Sequence, residues 1–193
     1  MTSLLSLEQQ YLALHPKPYA VPLGKLAPIL EACTLAMSKR DWIVTGPRGR
    51  VVAMLRGCSA ERLASSGDGL HSYKISPSSL NPANRALHAV GLALSSQRPV
   101  LCFLGQASTA NGAYYEALNI AALKNTPVLF VVLAQDLSDV PMSPQTSSTA
   151  HQLASAMTLH SEMLTAEPET VRSAVDRFRT DPKPTLLEIQ LEK

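Results

Sequence analysis

Residues 100 to 134 read VLCFLGQASTANGAYYEALNIAALKNTPVLFVVLA, and this stretch decides the fold. A short apolar strand ends at Gly105, a turn of small residues follows, and a helix carries the segment EALNIAAL. A second apolar strand begins after Pro127. Strands that are apolar throughout are typical of parallel sheets whose two faces are both covered by helices. The stretch therefore predicts a strand–helix–strand unit of a parallel α/β sheet.

The same alternation of helices and strands extends to both sides of this unit. Apolar spacing and turn residues predict helices over 24–38, 60–65, 83–96, 150–157 and 167–179, strands over 41–44 and 185–191, a turn at 46–49 and an irregular loop over 65–82. A further short helix with one apolar face is predicted within residues 1–23. We therefore expect an N-terminal arm of residues 1–23 and a single α/β domain of residues 24–193.

Composition excludes several classes of protein. Apolar residues make up 46% of the chain and charged residues 17%, which is ordinary for a globular domain. The formal charge of +2, with basic residues scattered singly or in pairs, gives no reason to expect nucleic acid. No apolar segment approaches the roughly 18 residues of a membrane span, and the N-terminus lacks the basic start of a signal peptide. Three widely spaced cysteines without a CxxC pair favour a reducing compartment, so we expect the cytoplasm.

Two segments that follow neighbouring strands define the candidate site. Gly105-Gln106-Ala107 closes the first strand and Ala134-Gln135 closes the second, with residues 108 to 133 between them. In parallel α/β sheets, ligands bind beyond the carboxyl ends of the strands, where both segments fall. The position predicts a ligand site, although neither segment carries a carboxylate.

This arrangement resembles the thiamine-diphosphate-binding segment in the α subunit of the decarboxylating component of 2-oxo acid dehydrogenases. In that family a Gly-Asp-Gly closes the first strand and an Asn-Asn pair ends the second, at the spacing seen here. The resemblance implies the three-layer α/β/α parallel sheet of the thiamine-diphosphate-binding fold. The metal-binding residue types of the family are replaced in this chain.

Other segments carry the resemblance in the family's order, from about residue 24 to residue 191. They are Asp41-Trp42-Ile43, residues 47–57, Gly69-Leu70-His71, residues 88–93 (HAVGLA) and Pro144-Gln145-Thr146. In the second of these, Arg48 keeps the family's arginine, whereas Pro47 and Arg50 stand in place of a tyrosine and a histidine. The family continues beyond the position of Lys193 into a histidine-bearing active-site loop and further helices, which we expect this domain to lack.

The resemblance also implies what the cofactor would need. The family holds the diphosphate through Mg²⁺, using an aspartate carboxylate, an asparagine carbonyl and a backbone carbonyl, and Mg²⁺ demands near-octahedral oxygen ligands. Gln106 replaces the aspartate with a neutral amide, Ala107 adds a Cβ where the backbone approaches phosphate, and Ala134 offers only its backbone. Gln135 keeps an amide oxygen. We therefore expect no cofactor and no metal, with Gln106 and Gln135 as metal ligands only if the site is active.

A few further residues match functional positions of the family. Arg48, and backbone N–H groups of the helix after Gly112, are the remaining anion-binding features. His71 is the candidate catalytic imidazole, with a plain loop histidine as the alternative reading. Glu116 and Asn119 are interpreted as a buried polar pair in backbone or subunit contacts rather than as catalytic groups.

The remaining histidines predict no separate chemistry. His88 is interpreted as a packed core histidine, and His151 and His160 as exposed residues of a helix and a loop. Cys58, Asp68 and His71 lie close in sequence, but nothing orients them as nucleophile, base and helper. There is no nucleophile elbow and no phosphate-binding P-loop.

Three functions remain open. The preferred one is a degenerate α-subunit-like pseudoenzyme that scaffolds or regulates a partner, as a homo-oligomer or with a β-type dehydrogenase subunit. The second is an active half-site for thiamine diphosphate and Mg²⁺, favoured by Arg48, Gly105 and His71. In the family, a β-type partner supplies the glutamate that activates the cofactor. The third is a cleft reused for another anionic ligand, such as a nucleotide or a coenzyme A ester.

Overall fold

The computed structural model describes residues 2–14, 22–65, 70–77, 79, 81–135 and 146–191. Its strands are β1 (Trp42–Val44), β2 (Val100–Gly105), β3 (Val128–Gln135), β4 (His160–Thr165) and β5 (Thr185–Leu191). Its α-helices are α1 (Leu4–Leu14), α2 (Ala27–Ala36), α3 (Val52–Leu55), α4 (Ala60–Ser65), α5 (Asn84–Ser96), α6 (Gly112–Lys124), α7 (Ala150–Ala156) and α8 (Pro168–Thr180). The strands form one sheet in the order β1-β2-β3-β5-β4, and every neighbouring pair is parallel.

The apolar strands bury both faces of the sheet because successive side chains point to opposite sides. On β2, Leu101 and Phe103 face one core, which α2 and α8 cover together with α1, α3 and α4. Cys102 and Leu104 face a second core, covered by α5, α6 and α7. This arrangement confirms the predicted three-layer α/β/α parallel sheet.

The N-terminal helix packs on the same domain. Leu4 is fully buried, and its backbone N–H donates to Glu31 Oε2 at 2.9 Å on α2. Glu8 is also buried, and its Oε1 accepts from the backbone N–H of Leu23 at 2.7 Å. The division into an arm of residues 1–23 and a domain of residues 24–193 stays a prediction. None of the helices in the described ranges combines the length and apolarity of a transmembrane span.

A buried charged network ties the start of β1 to the helical layer. Arg179 on α8 donates to Asp41 Oδ2, and the same carboxylate oxygen accepts from the Ser38 backbone N–H at 2.9 Å. Arg56 donates to the carbonyls of Asp41 at 2.7 Å, Tyr73 at 3.1 Å and Ser38 at 3.2 Å. Burial lowers the pKa of Arg56 to about 10, against the opposing effect of Asp41, so the guanidinium stays charged at neutral pH. These bonds fix the segments on either side of β1.

The structure departs from the predicted elements in three places. Strand β4 was not predicted, and His160 therefore lies in a strand rather than a loop. The segment reads HSEMLT and lies at the sheet edge, where one neighbour suffices and polar side chains face water. The predicted turn at 46–49 runs into a 3₁₀ turn at Arg48–Val51 and then α3. Within the predicted loop, a 3₁₀ turn spans His71–Tyr73.

Candidate functional site

The candidate site lies at the carboxyl edge of the sheet, as the sequence predicts. Gly105 of β2 is paired with Leu133 of β3. Gln106 and Ala134 are the next residues after this pair, so they come side by side. The two segments that match the family's metal positions therefore meet at one edge. Only the backbone of Gln135 belongs to the described residues, where it ends β3.

A cavity of about 370 Å³ opens at this edge. The structure brings four of the predicted site residues to its wall: Arg48, Gly105, Gln106 and Ala107. Ala134 does not line the cavity and is buried in the sheet. Most of the remaining wall is apolar and comes from Leu23, Leu26, Leu30, Pro47, Phe103, Leu104 and Leu133.

The described donor set does not fit the family's magnesium site. No described residue that lines the cavity carries a carboxylate. Gln106 and Ala107 are exposed in a 3₁₀ turn over Gln106–Ala110, where the carbonyl of Gln106 accepts from Thr109 Oγ1 at 2.7 Å. The described residues also contain no group of three His, Cys, Asp or Glu side chains that could share a metal.

Two backbone features of this edge concern Gly105 and the start of α6. A Cβ added to Gly105 would meet no atom within 4 Å, so the surroundings of this glycine do not require it. The helix α6 that follows is capped by its own chain, because the Asn111 side chain accepts from the Ala113 backbone N–H at 3.0 Å. The N–H of Ala113 is therefore not free to bind an anion.

Arg48 also lines the cavity. Its side chain is exposed, and Nη2 donates to the carbonyl of Pro22 at 2.6 Å. The next residue, Gly49, is buried, and a Cβ there would overlap Oγ1 of the buried Thr45. Glycine at this position therefore permits the turn that presents Arg48 to the cavity.

Arg85 is a residue of this cavity that sequence reasoning missed. Its guanidinium packs against Gly46, where an added Cβ would lie 2.9 Å from Cζ, Nη1 and Nη2. Nη1 donates to the Phe103 carbonyl over a long 3.4 Å, and Nε is buried without a partner. Burial lowers the pKa of Arg85. In the sequence, the one indication of an unusual role for Arg85 was its place in the first turn of a predicted helix, where the helix dipole disfavours positive charge.

His71 lies in a different place from the other predicted site residues. It lines a second cavity of about 400 Å³ with Trp42, Ser76 and His88, among others. The His71 ring meets the Trp42 ring edge to face, with centroids 6.0 Å apart. Lys74 Nζ lies 4.9 Å from the centroid of the same indole.

His88 is exposed on α5, so its interpretation as a packed core histidine is wrong. Asp68 and Gly69 lie outside the described residues.

The polar residues of α6 face outward. Glu116 and Asn119 are exposed, so their interpretation as a buried pair is wrong for this chain by itself. Tyr115 and Leu123 are exposed on the same helix, Leu123 at 73%. We call these four residues the outer face of α6. Their exposure provides a mixed polar and apolar surface.

A buried polar cluster around Glu188 of β5 was also missed. Glu188 is buried in an otherwise apolar strand, and its Oε2 accepts from the His151 backbone N–H at 2.7 Å in the first turn of α7. His151 is half-buried rather than exposed, and its Nδ1 shares a hydrogen bond with Ser161 Oγ at 3.0 Å. The hydroxyl of Tyr114 is buried without a partner, and burial raises its pKa. In the sequence, the available indication of this cluster was the glutamate within the segment TLLEIQL.

Comparison with known proteins places this geometry in a family. The family model described as the dehydrogenase E1 component matches residues 29–191. The 3-methyl-2-oxobutanoate dehydrogenase subunit alpha of Mycobacterium tuberculosis, in strains CDC 1551 / Oshkosh and ATCC 25618 / H37Rv, is 30% identical. That match covers 60% of this chain and 36% of each relative, so the chain matches little more than a third of their length.

Solved structures share the fold. A thiamin diphosphate-dependent enzyme of Mycobacterium smegmatis aligns with a TM-score of 0.62 at 17% identity, covering 91% of this chain and 32% of that chain. The transketolase of Campylobacter jejuni subsp. jejuni aligns with a TM-score of 0.68 at 14% identity, covering 97% of this chain and 36% of that chain. These likenesses confirm the α/β thiamine-diphosphate-binding fold.

Proposed function

The chain belongs to the dehydrogenase E1 component family, and we propose that it is a degenerate α-subunit-like domain that has lost canonical binding of thiamine diphosphate through Mg²⁺. One observation carries the proposal: the described wall of the cleft contains no carboxylate, although the cleft lies at the sheet edge where the resemblance implies the cofactor. Mg²⁺ keeps its water shell unless hard, charged oxygen ligands replace part of it. The amide of Gln106 is neutral and supplies no such charge.

We propose that the chain acts as a scaffolding or regulatory subunit of a larger assembly. The similar M. tuberculosis protein is named as a subunit alpha, which supports a β-type dehydrogenase subunit as partner. The outer face of α6, with Leu123 exposed at 73%, supports a subunit contact, either with such a partner or with a second copy. The three free cysteines are buried thiols, which is consistent with the proposed cytoplasmic location.

The alternative function is an active half-site completed by a β-type partner. Its support is that Arg48 and Gly105 line the cleft as the resemblance predicts. His71 does not add to that support, because it lines the second cavity with Trp42. Under this alternative Gln106 and Gln135 would be the metal ligands, and thiamine diphosphate the cofactor.

Co-purification with a β-type 2-oxo acid dehydrogenase subunit tests the scaffold proposal. We expect a complex whose mass by light scattering is unchanged by thiamine diphosphate and Mg²⁺. Leu123→Lys, on the outer face of α6, should weaken the complex or a homo-oligomer, because it places a charge in an apolar contact. Met163→Lys, at an apolar position 46% exposed on the edge strand β4, is the matched control. Mg²⁺-dependent decarboxylation of a 2-oxo acid by the complex would instead establish the active half-site.

A further inference from the structure

Arg85 carries a positive charge that the described protein does not balance. Its guanidinium lies between the Gly46 backbone and the Phe103 carbonyl, and Phe103 is the one acceptor that the described residues offer it, at 3.4 Å. Nε is buried without a hydrogen-bond partner. A partly desolvated charge without a counter-charge costs free energy, which an anionic ligand would recover.

The neighbouring titratable group does not supply the missing negative charge. Cys102 interacts electrostatically with Arg85, but burial raises the pKa of this thiol to about 12. The thiol is therefore neutral at physiological pH. The cavity wall also holds Arg48, so the charged side chains that the described wall presents are both cationic. An oxyanion is the ligand group that planar guanidinium donors recognise best.

The rest of the wall defines what the anion must be attached to. Leu26, Leu30, Phe103 and Leu133 contribute an apolar surface to the cavity wall. A free inorganic anion would leave this surface without contact. A ligand with an apolar body would cover it, and the volume of about 370 Å³ suits a small organic molecule.

We propose that this cleft is a metal-independent binding site for a small organic oxyanion with an apolar body, held by Arg85. The guanidinium supplies the positive charge that Mg²⁺ supplies in the family, and the leucine-lined wall contacts the body of the ligand. This inference goes beyond the proposed function, because it assigns a ligand class to a cleft that has lost its canonical one. Carboxylates and phosphate monoesters share the required chemistry.

Calorimetric titration in EDTA tests the proposal with three probes of one chain length: hexanoate, monohexyl phosphate and hexanol. We expect at least one of the two anions to bind at least tenfold more tightly than hexanol. The stronger anion identifies the natural ligand as a carboxylate or a phosphate ester. In Arg85→Met the anion should lose this preference and bind like hexanol. Arg98→Met, which removes an exposed arginine just after α5, should leave it unchanged.

A second variant keeps the charge and moves the guanidinium. The Cβ of Gly46→Ala would lie 2.9 Å from the Arg85 guanidinium, whose flexible end can shift without disturbing the fold. We expect Gly46→Ala to weaken anion binding severalfold while circular dichroism and thermal unfolding stay as in the wild type. Binding of neither anion in EDTA, equal binding of hexanol, or full anion affinity in Arg85→Met would overturn the proposal. Anion binding that appears only with Mg²⁺ would overturn it too.

The test is separate from that of the proposed function. If the wild-type chain binds thiamine diphosphate only with Mg²⁺, the proposed loss of cofactor binding is wrong. The result of the anion titrations in EDTA is unaffected. If neither anion binds in EDTA, the ligand assignment is wrong, whereas the proposed loss of the metal ligands is unaffected.

Discussion

Gly105 of β2 pairs in register with Leu133 of β3, and this pairing brings Gln106 and Ala134 together at the edge where the family binds its cofactor. The two segments therefore meet as the resemblance implies, while their side chains differ from those that hold Mg²⁺ in the family. A neutral amide and a methyl group now stand where the family has a carboxylate and a carboxamide. The proposed loss of cofactor binding is therefore one of ligands, since the edge of the sheet that the sequence predicts is in place.

Restoring the ligands should restore metal-dependent binding. We predict that Gln106→Asp with Ala107→Gly and Ala134→Asn gains at least tenfold in affinity for thiamine diphosphate when Mg²⁺ is present, or about 1.4 kcal/mol. The carboxylate supplies the charge that Mg²⁺ dehydration requires. Titration calorimetry with and without the metal measures the gain, and Ala107→Gly by itself should show none. An unchanged affinity in the triple variant would mean that the edge itself has drifted.

The turn that presents Arg48 should depend on Gly49. We predict that Gly49→Ala lowers the free energy of unfolding by about 1–3 kcal/mol, because its Cβ overlaps the β-branched and buried Thr45. The matched control is Gly91→Ala on α5, where an added Cβ meets nothing within 4 Å. That change should stabilise the chain by about 0.5–1 kcal/mol through helix propensity. Urea unfolding compares the two, and equal effects would refute the proposed clash.

The buried network at β1 should be a main determinant of stability. We predict that Asp41→Ala costs about 3–5 kcal/mol, because the carboxylate is 2% exposed and its loss leaves Arg179 and the Ser38 N–H without their partner. Asp181→Ala, which removes the exposed Asp181–Lys183 ion pair, should cost under about 1 kcal/mol. Chemical denaturation measures both. A cost for Asp41→Ala no larger than that for Asp181→Ala would show that the network adds nothing.

Buried thiols should make the fold less stable at high pH. Burial raises the pKa of Cys33 and Cys102 to about 12, whereas an unfolded thiol titrates near about 8.5. The folded state therefore keeps two protons that the unfolded state loses, so stability is complete below pH ~8.5 and falls as pH rises towards ~12. Each thiol contributes up to about 1.4 kcal/mol per pH unit. Urea unfolding from pH 8 to 10.5 measures the slope, which Cys33→Ala should reduce. A slope unchanged in that variant would contradict the assignment.

The layers of the fold were readable in the sequence because β2 and β3 are apolar on both faces and β5 is largely apolar. Strand β4 escaped prediction because its HSEMLT segment lies at the edge and carries no such signature. The place of Gln106 at the carboxyl edge of the sheet followed from its position at the end of a predicted parallel strand. Apolar patterning assigns a residue to an element, and the mostly polar HSEMLT segment offers little of it.

The composition of the site was less accessible than its position. Arg85 reaches the cleft by packing across Gly46, a contact between residues far apart in sequence that no local pattern reveals. Glu116 and Asn119 were expected inside because α6 is largely apolar, yet both lie on its outer face. His71 matched a family position and lies beside Trp42, away from Gln106. Each outcome depended on tertiary packing.

The most direct measurement is calorimetric titration of the purified wild-type chain with thiamine diphosphate, with and without Mg²⁺ and with and without a β-type subunit. The loss of the carboxylate ligand predicts no binding heat and no thermal shift that depends on the metal, in every combination. Mg²⁺-dependent binding at micromolar strength would contradict the central claim and make Gln106 and Gln135 working, if unusual, ligands.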